Sequence, residues 1–169
     1  MNDDAMQNLL IQWIAKTTKC TTVREYQSGK MPKLPYISVH YVQSKDVRDH
    51  EQKWMFEEDD EATPPRIWSA PVIEVEYMFS INGFSTQSPT DLLRPIRSAS
   101  KINQAVEPLM PMFQLHSISE IRNLSEWDND VWNNRAQMDL FLRGLEADGH
   151  LIDTIEEYNF IFDAQPGGV

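Results

Sequence analysis

The feature that most constrains this chain is the strict alternation of apolar and polar residues over 72–83. Ile73, Val75, Tyr77, Phe79 and Ile81 share one parity, and Glu74, Glu76, Ser80 and Asn82 share the other. A period of two residues is typical of a strand with one dry face and one wet face. Pro71 before the run and Asn82-Gly83 after it are suitable strand boundaries. We therefore expect a fold built on a sheet with one buried face.

A second stretch, 127–142, combines two tryptophans, Trp127 and Trp132, with another alternating run. Two interpretations of this run stay open, because Ala, Gln, Met, Leu and Arg are also good helix formers. As a strand it would pair with 113–124 in a hairpin around 125–133. The core side would then hold Ala136, Met138, Leu140 and Leu142, and a neighbour or solvent would meet Arg135, Gln137 and Asp139.

Two segments have helical periodicity. The first is predicted over 3–17, and the second begins at Ser88 or Thr90 and is ended by Pro108 and Pro111. Pro95 should either define the first turn of the second helix or kink it. The predicted buried residues are Met6, Leu9, Leu10, Trp13 and Ile14 in the first, and Leu92, Leu93, Ile96, Ala99, Ile102 and Val106 in the second.

Three more strands are predicted, over 23–26, 36–42 and 155–162, with a loop at 144–149. Strand 36–42 continues into polar residues, so its far end should run out toward solvent or a partner. Many strands with only two helices predict an α+β fold with a mainly antiparallel, twisted sheet, flanked by an N-terminal helix and a central helix. One domain would cover 1–163, and 164–169 would be a flexible tail.

Residues 46–66 are strongly acidic, with eight acids and three bases, and the five acids of 57–61 are consecutive. The simpler interpretation is a solvated loop or a long hairpin arm. The alternative is an arm that meets a partner, because Trp54, Met55 and Phe56 lie beside the acids. Large apolar side chains in a charged segment are unusual unless something covers them.

Composition excludes several classes of protein. The net charge of −11 makes tight nucleic-acid binding unfavourable, since such binding depends on neutralising phosphates. No apolar run approaches the roughly 20 residues of a membrane span, and we expect no secretory signal and no membrane association. The single cysteine, Cys20, cannot form an internal disulfide and suits a reducing compartment.

No catalytic or cofactor motif is present. Phosphate-binding loops, nucleophile elbows and paired-cysteine metal motifs are all missing from the sequence. Asp128 and Asp130 fail as a calcium loop because Trp132 stands where an oxygen ligand belongs. Consecutive acids such as 57–61 diverge and are poor metal ligands, and the four histidines are scattered. We expect no enzyme, no metal and no cofactor.

Three blocks of the sequence resemble the neck and tail-terminator proteins of tailed bacteriophages. They are the proline-preceded strand 34–41, the strand and glycine turn of 75–84 with its following helix, and 130–140. The third block is the closest, and the resemblance favours the strand interpretation there. The acidic arm is longer and more charged than the family's core.

The resemblance implies a structural protein of the virion, assembled in the host cytoplasm. It would form a ring, commonly hexameric, that ends the tail tube and joins the tail to the head connector. DNA would pass through the ring only as cargo, and sheath or collar proteins are further possible partners. An acidic regulator that mimics DNA, or a small α+β enzyme, is the alternative. The expected interface residues are Trp54, Met55, Phe56, Trp127, Trp132, Arg135, Gln137 and Asp139.

Overall fold

The alternating runs 72–83 and 135–142 become strands, and both helical patterns become helices. A computed structural model of the protein describes residues 3–26, 30–59, 66–110, 112–128 and 131–153. The helices are α1 (Asp3–Thr18), α2 (Pro89–Ala99) and α3 (Asn103–Val106), the last followed by a 3-10 turn, Glu107–Leu109. The strands are β1 (Thr21–Arg24), β2 (Tyr36–Asp46), β3 (Lys53–Asp59), β4 (Arg66–Phe84), β5 (Gln114–Ile118), β6 (Arg122–Asn123), β7 (Glu126–Asp128), β8 (Val131–Asn133), β9 (Arg135–Ala147) and β10 (His150–Asp153).

The 19-residue strand β4 is the centre of the main sheet. The strand order is β1-β2-β4-β9-β5, with β3 and β10 pairing the first part of β4 and β6 pairing β9. All of these pairs are antiparallel except β1–β2. The predicted α+β class and mainly antiparallel sheet are therefore confirmed.

Strands β9 and β10 lie on the same side of β4 and keep one register. Val72 pairs with Ala147, and Ser69 pairs with His150. Pairing pauses only where Asp148 and Gly149 pass Pro71 and its neighbour, because proline has no N–H to donate. The predicted loop at 144–149 is therefore wrong, since the strand runs through most of it. The predicted strand 155–162 and the tail 164–169 lie outside the described residues.

Strands β2 and β3 follow the other side of β4 in a similar way. A bulge at Val42 shifts the register, and 47–52 form an insertion held by two backbone hydrogen bonds to β4. Strand β3 then pairs antiparallel with 66–72, so residues 53–59 of the acidic segment are a strand and not an irregular loop. We call β3, residues 66–72 and β10 together the arm. Residues 60–65 lie outside the described part of the chain.

The core lies between the helices and one face of the sheet, which we call the core face. Burying one large apolar side chain in this core stabilises the fold by about 1.5–3 kcal/mol. Polar groups of α1 also bridge to the body of the protein, with Trp13 Nε1 donating to the carbonyl of Ala105 at 2.6 Å. The fully buried members include Met6, Leu10, Ile14, Ile37, Tyr77, Phe79, Ile81, Leu93, Ile96, Met138 and Leu140.

The alternating run after residue 134 is a strand, as the resemblance favours. Ala136, Met138, Leu140 and Leu142 are buried, as predicted. Both β5 and β6 pair antiparallel with β9, which confirms the predicted hairpin partner. Residues 113–124 are not one strand, however, because the chain leaves the ladder at 119–121. The turn between them, 125–133, contains a small hairpin of its own, β7–β8.

The second helix is shorter than its apolar spacing predicts. Helix α2 ends at Ala99, with Pro95 inside it, and α3 begins after Ile102. Ile102 has extended backbone angles, φ −117° and ψ 111°, so its side chain leaves the line of the helix. It is 55% exposed, and the prediction that it is buried is wrong. Pro111 lies outside the described residues.

The contrast between Ile96 and Ile102 can be tested with matched substitutions. Ile96→Ala should lower the free energy of unfolding by about 2–5 kcal/mol, because it leaves a cavity in the core. Ile102→Ala should cost less than about 1 kcal/mol, because this side chain is already in water. Urea unfolding of both variants measures the difference. Equal losses would show that Ile102 belongs to the core.

Candidate assembly surfaces

The arm carries exposed aromatic side chains on the continuation of the core face. Trp54 and Phe56 pair across the strands with Pro71 and Ser69, whose parity along β4 is that of the core residues. Their rings are stacked, with centroids 6.3 Å apart. Trp54 is 49% exposed and Phe56 is 65% exposed. The apolar face of the sheet thus extends to a part of the arm that is open to solvent.

The opposite face of the sheet, which we call the open face, is also apolar at the arm. Met55, Trp68 and Leu145 are exposed there, above the buried Ala70 and Val72. The indole of Trp68 lies against Gly149, where an added Cβ would come within 2.2 Å of its Nε1 atom. Gly149 is therefore required for this packing. An arm exposed on both apolar faces is the feature expected of a contact surface.

Beyond the arm, the open face changes to a network of paired polar groups. Glu76 accepts hydrogen bonds from Lys45 Nζ at 2.9 Å and from Arg143 Nε at 3.0 Å. The Lys45 hydrogen bond lowers the pKa of Glu76, burial opposes that change, and Arg143 lowers the pKa further. The long basic side chains cover this carboxylate, so it is buried although it lies on the polar face.

Two of the predicted interface residues, Arg135 and Gln137, form further polar pairs on the open face. Arg135 donates to Asn82 Oδ1 from Nε and Nη2, at 3.1 and 2.9 Å, and Gln137 donates to Ser80 Oγ. Both side chains are half-buried. They lie on the open face, as the alternation predicts, but each already has a partner within the protomer.

Asp139 does not face solvent, one of the two environments predicted for it. It is only 6% exposed, because Arg122 of β6 lies over it and donates from Nη2 to Oδ2 at 2.6 Å. The alternation gives the right face of the strand. It gives no sign that a cation from another strand covers the carboxylate.

Trp127 and Trp132 face each other across the β7–β8 hairpin. Their ring centroids are 5.2 Å apart and the planes meet at 70°, the edge-to-face geometry that aromatic pairs favour. Both remain more than half exposed. The hairpin leads directly into Arg135, which pairs with Phe84. It therefore belongs to the end of the sheet away from the arm.

A cavity of about 420 Å³ opens on the same end of the sheet. Its wall includes Tyr36 and Phe84, stacked with ring centroids 4.7 Å apart. The Glu25 carboxylate at its side accepts from Asn82 Nδ2 at 2.9 Å and from Ser38 Oγ at 3.3 Å. Burial, and then the charge of Glu25, raises the pKa of Tyr36. Sequence patterns give no sign of this cavity, since its lining comes from three separate segments.

The predicted interface residues thus form three groups and not one patch. Trp54, Met55 and Phe56 lie on the arm, and Trp127 and Trp132 on the small hairpin. Arg135, Gln137 and Asp139 line the open face between these regions. From Ala147 to Arg135, β9 spans about 40 Å at the ordinary rise of a strand.

Reactive groups are dispersed in the described part of the chain. It contains no cluster of three or more His, Cys, Asp or Glu side chains that could hold a metal ion. Burial raises the pKa of Cys20, which disfavours the nucleophilic thiolate. Within the same residues, no helix is long and apolar enough to cross a membrane.

The Glu76 cluster predicts a specific pH dependence. A carboxylate whose folded-state pKa is lowered stabilises the protein above its unfolded pKa, and the benefit is lost as pH falls through the folded pKa. Glu76→Gln should cost about 1.5–3 kcal/mol at pH 7 and flatten the acid side of the stability curve. Urea unfolding from pH 7 to pH 3 measures both effects. Glu120→Gln, at an exposed position, is the control, and equal curves for the two variants would contradict the prediction.

Comparison with known proteins gives one match that covers nearly the whole chain. A search of curated proteins finds no match. The sequence model of a family described as phage neck terminator protein matches residues 4–165. The match begins at the second residue of α1 and includes the arm and every other strand of the described part of the chain. The chain belongs to the phage neck terminator protein family, a family of structural proteins.

Proposed function

We propose that this protein forms a homo-oligomeric ring at the neck of the virion, where it ends the tail tube and joins the tail to the head connector. Family membership supports the position at the neck. The number of subunits in the proposed ring is six, the number that the resemblance implies. The chain itself has no catalytic role in this proposal.

The observation that carries the proposal is the arm, with exposed aromatic and aliphatic side chains on both faces. Burial of large exposed apolar side chains such as Trp54, Phe56 and Trp68 in an interface contributes strongly to the free energy of binding. Tryptophan is frequent among the residues that dominate binding energy. A ring gives each protomer two neighbours. One apolar face of the arm can then be covered by a neighbouring protomer and the other by the tube or connector.

Charge supports the passage of DNA without binding. Each protomer carries a net charge of −11, so a ring of six is strongly acidic. On the open face, Arg122, Arg135 and Arg143 are each engaged with an acidic or amide side chain. These arginines are therefore less available to phosphates, which fits a lumen that DNA crosses without being held.

A phage carrying a conditional null allele of this gene tests the proposal. Without the chain, tails should continue to polymerise past their normal length and should not join filled heads. Electron microscopy of the particles measures tail length and the fraction of joined particles. Expression of the wild-type chain in the same host should restore both.

Mass photometry of the purified wild-type chain gives the second measurement, because a ring has a mass several times that of one 19.7 kDa protomer. Null particles with normal tails, joined heads and full infectivity would overturn the proposed function. An acidic regulator of a host protein would give that outcome, since such a protein is dispensable for particle architecture.

A further inference from the structure

We infer that the arm of one protomer docks into the cavity beside β1 of the next copy, and that this contact closes the ring. The occupant is thus a second copy of this chain, with Trp54 and Phe56 as the inserted side chains. The inference rests on the proposed ring, and adds which two surfaces meet. Its donor surface is the core-face side of β3, and its acceptor is the cavity lined by Tyr26, Lys30, Met31, Tyr36 and Phe84 with their neighbours.

The acceptor matches the arm in size and chemistry. Its volume of about 420 Å³ lies in the range of pockets that enclose a small organic ligand. The stacked Tyr36 and Phe84 rings offer an aromatic wall, and Met31 and Tyr26 are strongly exposed at its opening. Aromatic side chains pack well on such a wall, and methionine adapts its shape to a partner.

The two surfaces also have opposite charge. Residues 16–35, which supply most of the cavity wall, contain five bases and one acid. Residues 46–66, which include β3, contain eight acids and three bases. Lys30, Arg24 and Glu25 line the cavity. The guanidinium of Arg24 is already held by Asp4, so the exposed Lys30 is the base that can meet a partner there. The acidic segment that contains β3 is the complementary partner, and Glu58 shares the parity of Trp54 and Phe56 along that strand.

The sheet places these surfaces at opposite ends of the protomer. Trp54 lies opposite Pro71, and the cavity residue Phe84 is at the far end of β4. The two positions on β4 are about 40 Å apart at the ordinary rise of a strand, so an arm cannot reach its own cavity. Different patches at opposite ends make a head-to-tail contact, and such contacts produce rings when the rotation closes.

A second apolar groove is a less suitable acceptor. It is lined by Met110, Met112, Phe113 and Leu145 among others, and its volume is about 280 Å³. Leu145 pairs with Glu74, so this groove lies at the base of the arm. The arginine on its wall, Arg143, is already held by Glu76. It therefore lacks both the separation and the available positive charge that the cavity beside β1 offers.

Site-specific crosslinking tests the contact in the full chain. In a Cys20→Ser background, one preparation carries Phe56→Cys and a second carries Met31→Cys. After the two are mixed and allowed to exchange subunits, a short bis-maleimide should link them into a dimer of full-length chains on a denaturing gel. The matched control replaces Met31→Cys with Met110→Cys at the second groove. Crosslinking at Met31 but not at Met110 is the expected result.

Interface variants give an independent measurement. Trp54→Ala with Phe56→Ala should weaken the contact between copies by about 30-fold or more, as for other buried aromatic anchors. Glu58→Lys, or Lys30→Glu with Lys33→Glu, should reduce ring formation, and combining all three changes in one chain should restore it. Mass photometry across a concentration series reports each effect, and circular dichroism checks that each variant is folded.

The outcomes separate this inference from the proposed function. Rings that form normally with Phe56 linked to Met110, or with no linkage to Met31, would overturn the docking inference and leave the ring intact. Charge variants that fail in combination as they do singly would also contradict it. A wild-type chain that stays monomeric at every concentration, with no crosslink, would overturn the docking inference for this chain. The null phage would then decide the proposed function separately.

Discussion

Pairing on both sides of β4 is the interaction on which the rest of the structure depends. The second part of β4 pairs with β2 and β9, and its first part pairs with β3 and β10. Both the body of the sheet and the arm are therefore hydrogen-bonded to this one strand. The antiparallel ladder fixes which side chains share a face, because cross-strand partners point the same way. The same strand thus carries the core at one end and the exposed arm at the other. A shift of one residue in the pairing of β4 would move its core side chains to the open face and its polar side chains to the core face.

Most of the fold is readable from the sequence where one face is buried and the other is wet. The run around Tyr77 and the run around Leu140 show this, because water selects polar residues at alternate positions. Periodicity gives the wrong result at Ile102. The apolar spacing continues from Ala99 to Ile102, but the helix ends at Ala99 and Ile102 is exposed. The sequence pattern also fails at 144–149, since Gly144 and Gly149 suggest a turn although the ladder continues. The local composition of 144–149 does not show that β4 lies beside this segment and pairs with it.

The surfaces were only partly predictable for a related physical reason. Exposed aromatics such as Trp54 and Trp132 stand out in a polar context, so the sequence identifies them one by one. Contacts between segments that are distant in the chain cannot be identified from the sequence. Both the burial of Asp139 by Arg122 and the cavity beside β1 depend on such contacts. The polar parity of β4 does indicate where the Glu76 network lies. It does not indicate that bases from β2 and β9 would bury that carboxylate.

The interrupted pairing near Pro71 has a mechanical consequence. On one side of β4 the ladder pauses at 148–149, and on the other the insertion 47–52 replaces regular pairing within a few residues of the same level. The two interruptions are staggered, so one neighbour pairs with β4 at each level: β9 at 73–74 and β3 at 70–71. Resistance to bending there comes from two hydrogen-bonded strands, whereas in the body of the sheet more strands share it. The junction is therefore the narrowest part of the ladder, and bending there strains fewer hydrogen-bonded strands than bending within the body would.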